Sequence, residues 1–130
     1  MKFTTMYGQK EKIRLSKIAL GTANFGTDLD RETSYELLDY YVKMGGNVID
    51  TARCYAEWIE GGDSASEKMI GDWIEERGNR EEIVLMTKGG NPAMEDRSTT
   101  RLNEQEIRKD LDKSLHCLKT QCIDVYFLHR

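Results

Sequence analysis

Glu82-Ile-Val-Leu-Met-Thr-Lys88 is the stretch on which the fold turns. Residues 82–87 form a near-continuous apolar run, the pattern of a strand covered on both faces in a parallel sheet, and Lys88 closes it. Upstream, Ser64-Ala-Ser-Glu67 reads as a capping box, with the serine taking a free backbone N–H and the glutamate reaching back. The helix it opens carries Ala65, Met69, Ile70, Trp73 and Ile74 at helical spacing and stops at Gly78. Before it lie a polar loop running through Gly61-Gly62 and a short strand over residues 47–50. Before that, Asp28 or Asp30 caps a helix to about Met44, with Leu38, Tyr41 and Val42 on one side and Gly45-Gly46 as its stop.

The same alternation continues to both ends. Residues 17–20 read as a strand leading into Leu20-Gly-Thr-Ala-Asn-Phe-Gly26, preceded by a hairpin over 2–6 and 12–15 turned around Gly8. Downstream, a long loop over residues 89–102 carries the chain's one proline, Pro92. Loops of that length in compact domains are usually functional or mobile. Asn103-Glu-Gln-Glu106 then starts a helix with Ile107, Leu111, Leu115 and Leu118 three and four residues apart. Residues 123–128 form the last strand. A hairpin followed by β-α-β-α-β-α-β implies an α/β protein with four parallel strands and right-handed crossovers.

Composition narrows the function classes. A net charge of −4 gives no reason to expect nucleic acid or an anionic membrane surface as partner. No apolar run approaches the ~18 residues of a membrane span, and no signal-peptide pattern is present. A cytoplasmic location is the simplest expectation. Cys54, Cys117 and Cys122 are odd in number and form no C-x-x-C pair, which argues against a disulfide framework. Cys117, Cys122, His116 and His129 fall on a helix and a strand whose side chains diverge, so no metal site is expected.

Asp50, Tyr55, Lys88 and His129 each fall at or just beyond the C-terminal end of an expected strand, where a parallel β/α fold collects its chemistry. A lysine ammonium at the end of a buried strand needs a partner, and Asp50 is the natural one. A tyrosine hydroxyl beside that ammonium is biased toward phenolate, which makes Tyr55 a candidate proton donor. His129 is placed to donate a hydrogen bond to a reacting oxygen. Taken singly, each has a structural reading: an ion pair, a loop aromatic beside Trp58, a hydrogen-bonded core histidine. Their joint placement is what points to chemistry.

These residues sit in motifs that resemble the aldo-keto reductases. The motifs are Leu20–Gly26, Asn47-Val-Ile-Asp-Thr-Ala-Arg-Cys-Tyr55, Ser66-Glu67-Lys-Met-Ile-Gly71, Ile83-Val-Leu-Met-Thr-Lys88, Leu111-Asp-Lys-Ser-Leu115 and Ile123-Asp-Val-Tyr-Phe-Leu-His129. The stretch from Trp58 through Gly61-Gly62 is similar to bacterial-type members. The resemblance implies a (β/α)8 TIM barrel, of which this chain is the N-terminal half with its hairpin at the bottom. It implies NADPH-dependent reduction of an aldehyde or ketone to an alcohol. Tyr55 would be the general acid, Lys88 its activator, Asp50 the partner of Lys88, and His129 the group that orients the substrate carbonyl. Gly21, Thr22 and Asp50 match positions near the nicotinamide–ribose end of the cofactor, and Trp58 would line the substrate opening.

A full barrel takes about 250 residues. Residues 1–130 therefore read as a single partial reductase domain truncated after the fourth barrel strand, and the resemblance puts most cofactor contacts in the other half. Four parallel strands cannot close a barrel, so the sheet edges stay open and the inner face, with Ile49, Val84, Met86 and Phe127, lacks an opposing layer. Self-association, or pairing with a complementary C-terminal half, is expected. A non-catalytic half-barrel acting through such association is the alternative to an enzyme with a small carbonyl substrate.

Overall fold

In the computed structural model, which describes residues 1–8, 11–94 and 96–129, a hairpin precedes a parallel β/α sheet. β1 (Phe3–Tyr7) pairs antiparallel with β2 (Lys12–Ser16), and the Gly8 N–H donates to Glu11 O at 3.0 Å across the turn. β3 (Leu20–Gly21), β4 (Val48–Asp50), β5 (Val84–Gly89) and β6 (Val125–Leu128) then form one sheet in the order β3-β4-β5-β6, all parallel. Between them run α1 (Arg31–Lys43), α2 (Ala65–Arg77) and α3 (Glu104–Cys117).

Local chemistry explains where the helices begin and end. Asp30 is the residue that caps α1, accepting from the Thr33 N–H at 2.9 Å. Asn103 does the same for α3, accepting from Glu106 N–H at 3.0 Å. Gly78 ends α2 in the left-handed conformation (φ 61°), which a side chain would resist.

The two faces of the sheet differ because side chains alternate along a strand. Ile49, Thr51, Leu85 and Thr87 face the helices and are fully buried. There they meet Leu38, Ile70, Trp73 and Leu118 in the main apolar cluster. Burial of each large apolar side chain contributes about 1.5–3 kcal/mol, so this layer carries most of the stability. Trp73 also donates its indole N–H to Asp39 at 2.8 Å. The opposite face carries Asp50, Met86, Lys88, Val125 and Phe127, by register and alternation. No helix covers it. Phe127 is 45% exposed and Leu128 59%.

The hairpin is tied to the N-terminal end of β4, away from Lys88. Asn47 accepts from the Ser16 N–H at 2.7 Å and donates to Arg14 O at 2.8 Å. The Tyr41 hydroxyl donates to Ile18 O at 2.7 Å, and the Ser16 hydroxyl donates to the same carbonyl at 2.9 Å.

Several expectations are corrected. The first barrel strand is limited to Leu20–Gly21 rather than 17–20, because Ser16 and Tyr41 hold Ile18 in a bend before the sheet begins. Ile49 belongs to the helix-covered face, not to the inner face. The serine of the 64–67 capping box does not cap. Ser64 lies in the left-handed region (φ 54°) with its hydroxyl donating to Arg53 O at 3.2 Å, and Glu67 turns inward. On α3 the buried side chains are Asp110, Ser114 and Cys117, while of the expected apolar set Leu118, just past the helix, is fully buried and Ile107, Leu111 and Leu115 are half-buried.

Where α2 crosses the end of α3, Gly71 has no room for a side chain. A Cβ there would sit 2.2 Å from Cys117 O and 2.9 Å from Leu118 Cα, both backbone atoms that cannot swing away. Gly71→Ala is expected to destabilise the chain by about 1–3 kcal/mol through overpacking, read as a lower urea midpoint. An unchanged midpoint would show that the two helices separate freely.

Candidate active site

Lys88 sits on the uncovered face of β5, opposite Phe127 of β6 and two residues along the strand from Met86, the register partner of Asp50. Its ammonium meets three acceptors: Asp50 Oδ1 at 2.9 Å, the Tyr55 hydroxyl at 3.0 Å and Thr51 O at 2.8 Å. An ammonium has three N–H donors, so all are used and the half-buried charge is satisfied. Because the Tyr55 oxygen accepts from Lys88, its own proton is directed elsewhere. The Lys88 nitrogen also lies 4.7 Å from the Tyr55 ring centre.

Main-chain bonds bring Tyr55 back over this face. The ladder between β4 and β5 is prolonged by Thr51 N–H to Met86 O (2.9 Å) and Arg53 N–H to Lys88 O (3.1 Å). The chain then turns, with Tyr55 N–H donating to Ala52 O and Glu57 N–H to Cys54 O, both at 3.1 Å. Ala56, fully buried with φ 76°, completes the turn. His129 follows β6, its N–H donating to Gly89 O at 2.8 Å. Its imidazole meets the Tyr55 ring edge to face, with centroids 6.0 Å apart and planes at 77°. Cys54 Sγ lies 3.4 Å from His129 Nδ1. Asp50, Tyr55, Lys88 and His129 are therefore one cluster in space.

The remaining candidates divide. Gly21 ends β3 beside Asp50, and a Cβ built there would meet nothing within 4 Å, so open space adjoins it. Thr22 is fully buried. Its hydroxyl donates to Asp50 O at 3.0 Å and accepts from Ser66 at 2.9 Å, so it holds the end of β4. Trp58 lies on the same loop as Tyr55, 50% exposed, and among the described residues no ring contact joins it to the cluster. Among those residues no group of His, Cys, Asp and Glu is arranged to hold a metal ion. No described helix is long and apolar enough to cross a membrane.

Two supporting layers escape a reading by motif. The first is ionic. Arg53, 9% exposed, pairs with Glu57 and with Asp110 at 3.1 Å. Asp110, 3% exposed, also takes Arg101 at 2.8 Å and the Gly90 N–H at 2.8 Å. One carboxylate thus joins the loop after β4, the loop after β5 and α3. An open cleft lined by Arg53, Glu57, Asp63, Arg101, Lys109 and Lys113 lies along this network and includes none of the Lys88 cluster.

The second layer is Glu67, fully buried behind β5. It accepts from the Thr87 hydroxyl at 2.6 Å, one residue from Lys88 on the opposite face. Burial pushes its carboxyl above the usual glutamate range, a shift that the hydrogen bond from Thr87 opposes. The folded state then holds this proton more tightly than the unfolded chain. The resulting stabilisation is full below the ordinary glutamate pKa and is lost as pH rises through the higher folded value. Glu67→Gln is expected to flatten that acid-side dependence of the thermal midpoint. An identical pH profile in both proteins would mean that folding leaves the Glu67 carboxyl with the proton affinity it has in the unfolded chain.

The sequence model of the aldo/keto reductase family matches residues 17–130, everything after the hairpin. The chain belongs to the aldo/keto reductase family. It is 35% identical over 130 residues to norsolorinic acid reductase stcV of Emericella nidulans, a match that takes in 90% of this chain and 32% of that protein. It is 32% identical over 134 residues to an NADP(+) aryl-alcohol dehydrogenase of Phanerodontia chrysosporium, covering 90% of this chain and 33% of that one. The solved structure of the thermostable aldo-keto reductase Tm1743 matches with a TM-score of 0.75 at 26% identity, over 99% of this chain and 43% of that one. The α/β arrangement is part of the family's TIM barrel. This member spans about a third of the length of the curated relatives it matches.

Proposed function

We propose that this chain supplies the proton-transfer half of an NADPH-dependent reduction of an aldehyde or ketone to an alcohol. The observation that carries the reading is the Lys88 ammonium shared between Asp50 and the Tyr55 hydroxyl at the C-terminal ends of parallel strands. Tyr55 donates its proton to the carbonyl oxygen. Lys88 stabilises the negative charge that develops on the tyrosine oxygen as that proton leaves, and Asp50 holds the ammonium in place. His129 donates a hydrogen bond that orients the carbonyl beside Tyr55. Bound nicotinamide supplies the hydride.

The residues present fit the nicotinamide end of such a cofactor. Gly21 offers open space on the strand end next to Asp50, where a side chain would obstruct a flat ring. Thr22 acts behind it by fixing the main chain of Asp50. An NADP(+)-linked dehydrogenase among the relatives supports the choice of NADPH.

The open β6 edge, with Phe127 and Leu128 exposed, favours a second component of this reading. The 130 residues act as one partial domain, completed by self-association or by a complementary C-terminal half, since an unpaired edge and an uncovered apolar face are both liabilities in water. A purely associating, non-catalytic module is the alternative. NADPH fluorescence, titrated with the chain alone and then with the chain mixed with a C-terminal half, separates the two. Binding followed by carbonyl-dependent NADPH consumption is expected in at least one case. Absence of binding in both would rule out the reductase reading.

A further inference from the structure

Cys54 is the neighbour of Tyr55 in sequence, and both residues approach the same imidazole. The Tyr55 ring meets it edge to face, and the Cys54 sulfur lies within hydrogen-bond distance of Nδ1. Cys54 is only 8% exposed, enclosed where the chain turns through Ala52 O and buried Ala56. A thiol in this position has a strong neutral acceptor in reach, because an imidazole nitrogen accepts far better than a sulfur does.

We propose that Cys54 is a positioning residue for His129: its S–H donates to Nδ1, which places the ring proton on Nε2, the nitrogen that would then serve as donor to a substrate oxygen. In a neutral imidazole one nitrogen donates and the other accepts, so the bond made by one side sets the role of the other. Loss of the Cys54 donor removes this bias at Nδ1, and a ring proton carried there would leave Nε2 an acceptor where a carbonyl oxygen needs a donor. Burial pushes the Cys54 thiol up from its ordinary value, so the S–H persists at neutral pH. The arrangement also relates the two polar groups aimed at substrate. The turn that sets Tyr55 over Lys88 also sets the sulfur against His129, so proton donor and hydrogen-bond donor are placed by consecutive residues. The inference rests on the carbonyl-reductase reading for its purpose, though not for its test.

The test is the tautomer itself. The chain has two histidines, His116 and His129, and His116, in the last turn of α3, serves as an internal reference. Long-range proton–nitrogen correlation spectra of the unliganded protein, taken where imidazole is neutral, distinguish the two ring forms. The Nε2–H form of His129 is expected in the wild type and in Cys54→Ser, where a hydroxyl replaces the thiol as donor. Cys54→Ala is expected to lose the preference and show a mixture of forms, with the His116 signals unmoved in all three proteins. A predominant Nδ1–H form in the wild type would overturn the proposal, as would an unchanged His129 tautomer in Cys54→Ala. The wild-type spectrum decides even if a variant fails to fold. Because no cofactor is added, a failure here leaves carbonyl reduction intact, and a failure to bind NADPH leaves the tautomer result standing.

Discussion

Tyr55→Phe is expected to lower kcat for carbonyl reduction by about 100- to 10,000-fold, the usual contribution of a positioned general acid, with little change in NADPH binding. The variant deletes one oxygen, the one 3.0 Å from Lys88 Nζ. The ammonium keeps Asp50 and Thr51 O, and the ring keeps its packing against His129. Loss of one hydrogen bond at a half-buried site costs about 1 kcal/mol in stability, so the fold survives the change. The measurement is single-turnover reduction, in whichever assembly binds NADPH, with stability followed in parallel. A variant that retains a tenth or more of the wild-type rate would show that the proton comes from elsewhere.

Asp110→Ala is expected to cost about 3 kcal/mol of stability, the low end for breaking a buried ion pair. Asp110 is 3% exposed and serves Arg53, Arg101 and the Gly90 N–H together. Its removal leaves a buried main-chain donor without an acceptor and two guanidinium groups short of one. Arg53 retains Glu57 and Arg101 retains Glu106 at 2.6 Å, which is why the upper end of the range is not expected. Urea denaturation of the two proteins reads the difference directly. Asp110→Asn keeps the shape and the hydrogen-bond acceptor while losing the charge, and should fall between them. A loss under about 1 kcal/mol for the alanine variant would mean that the loops hold their places through main-chain bonds alone.

What the sequence made legible was local or strictly periodic. The 82–88 run announced β5, Gly78 announced the end of α2, and Asn103 announced the start of α3, each because a short stretch carries its own physical reason. The four polar residues at strand ends were legible for the same reason, since alternation and register bring Asp50, Lys88 and His129 to one face. Readings failed where a side chain serves a distant partner. Ser64 and Glu67 have the spacing of a capping box, yet their partners are Arg53 O and Thr87. On α3, apolar spacing pointed to Ile107, Leu111, Leu115 and Leu118, of which Leu118 alone is fully buried, while the buried positions include Asp110, whose purpose appears only once two loops are in place. Cys54 carried no signal beyond its adjacency to Tyr55.

The Lys88 ammonium draws its acceptors from far along the chain, reaching Tyr55 and Thr51 across sequence separations of 33 and 37 residues. That distance has a kinetic consequence. Parallel strands joined through a helix must close a long loop before any pairing rewards them, so contacts of this kind form slowly and late. The polar cluster therefore cannot exist in a chain that has built its helices but not yet aligned β4 with β5. A probe of the Lys88–Tyr55 contact during refolding should lag behind helix formation.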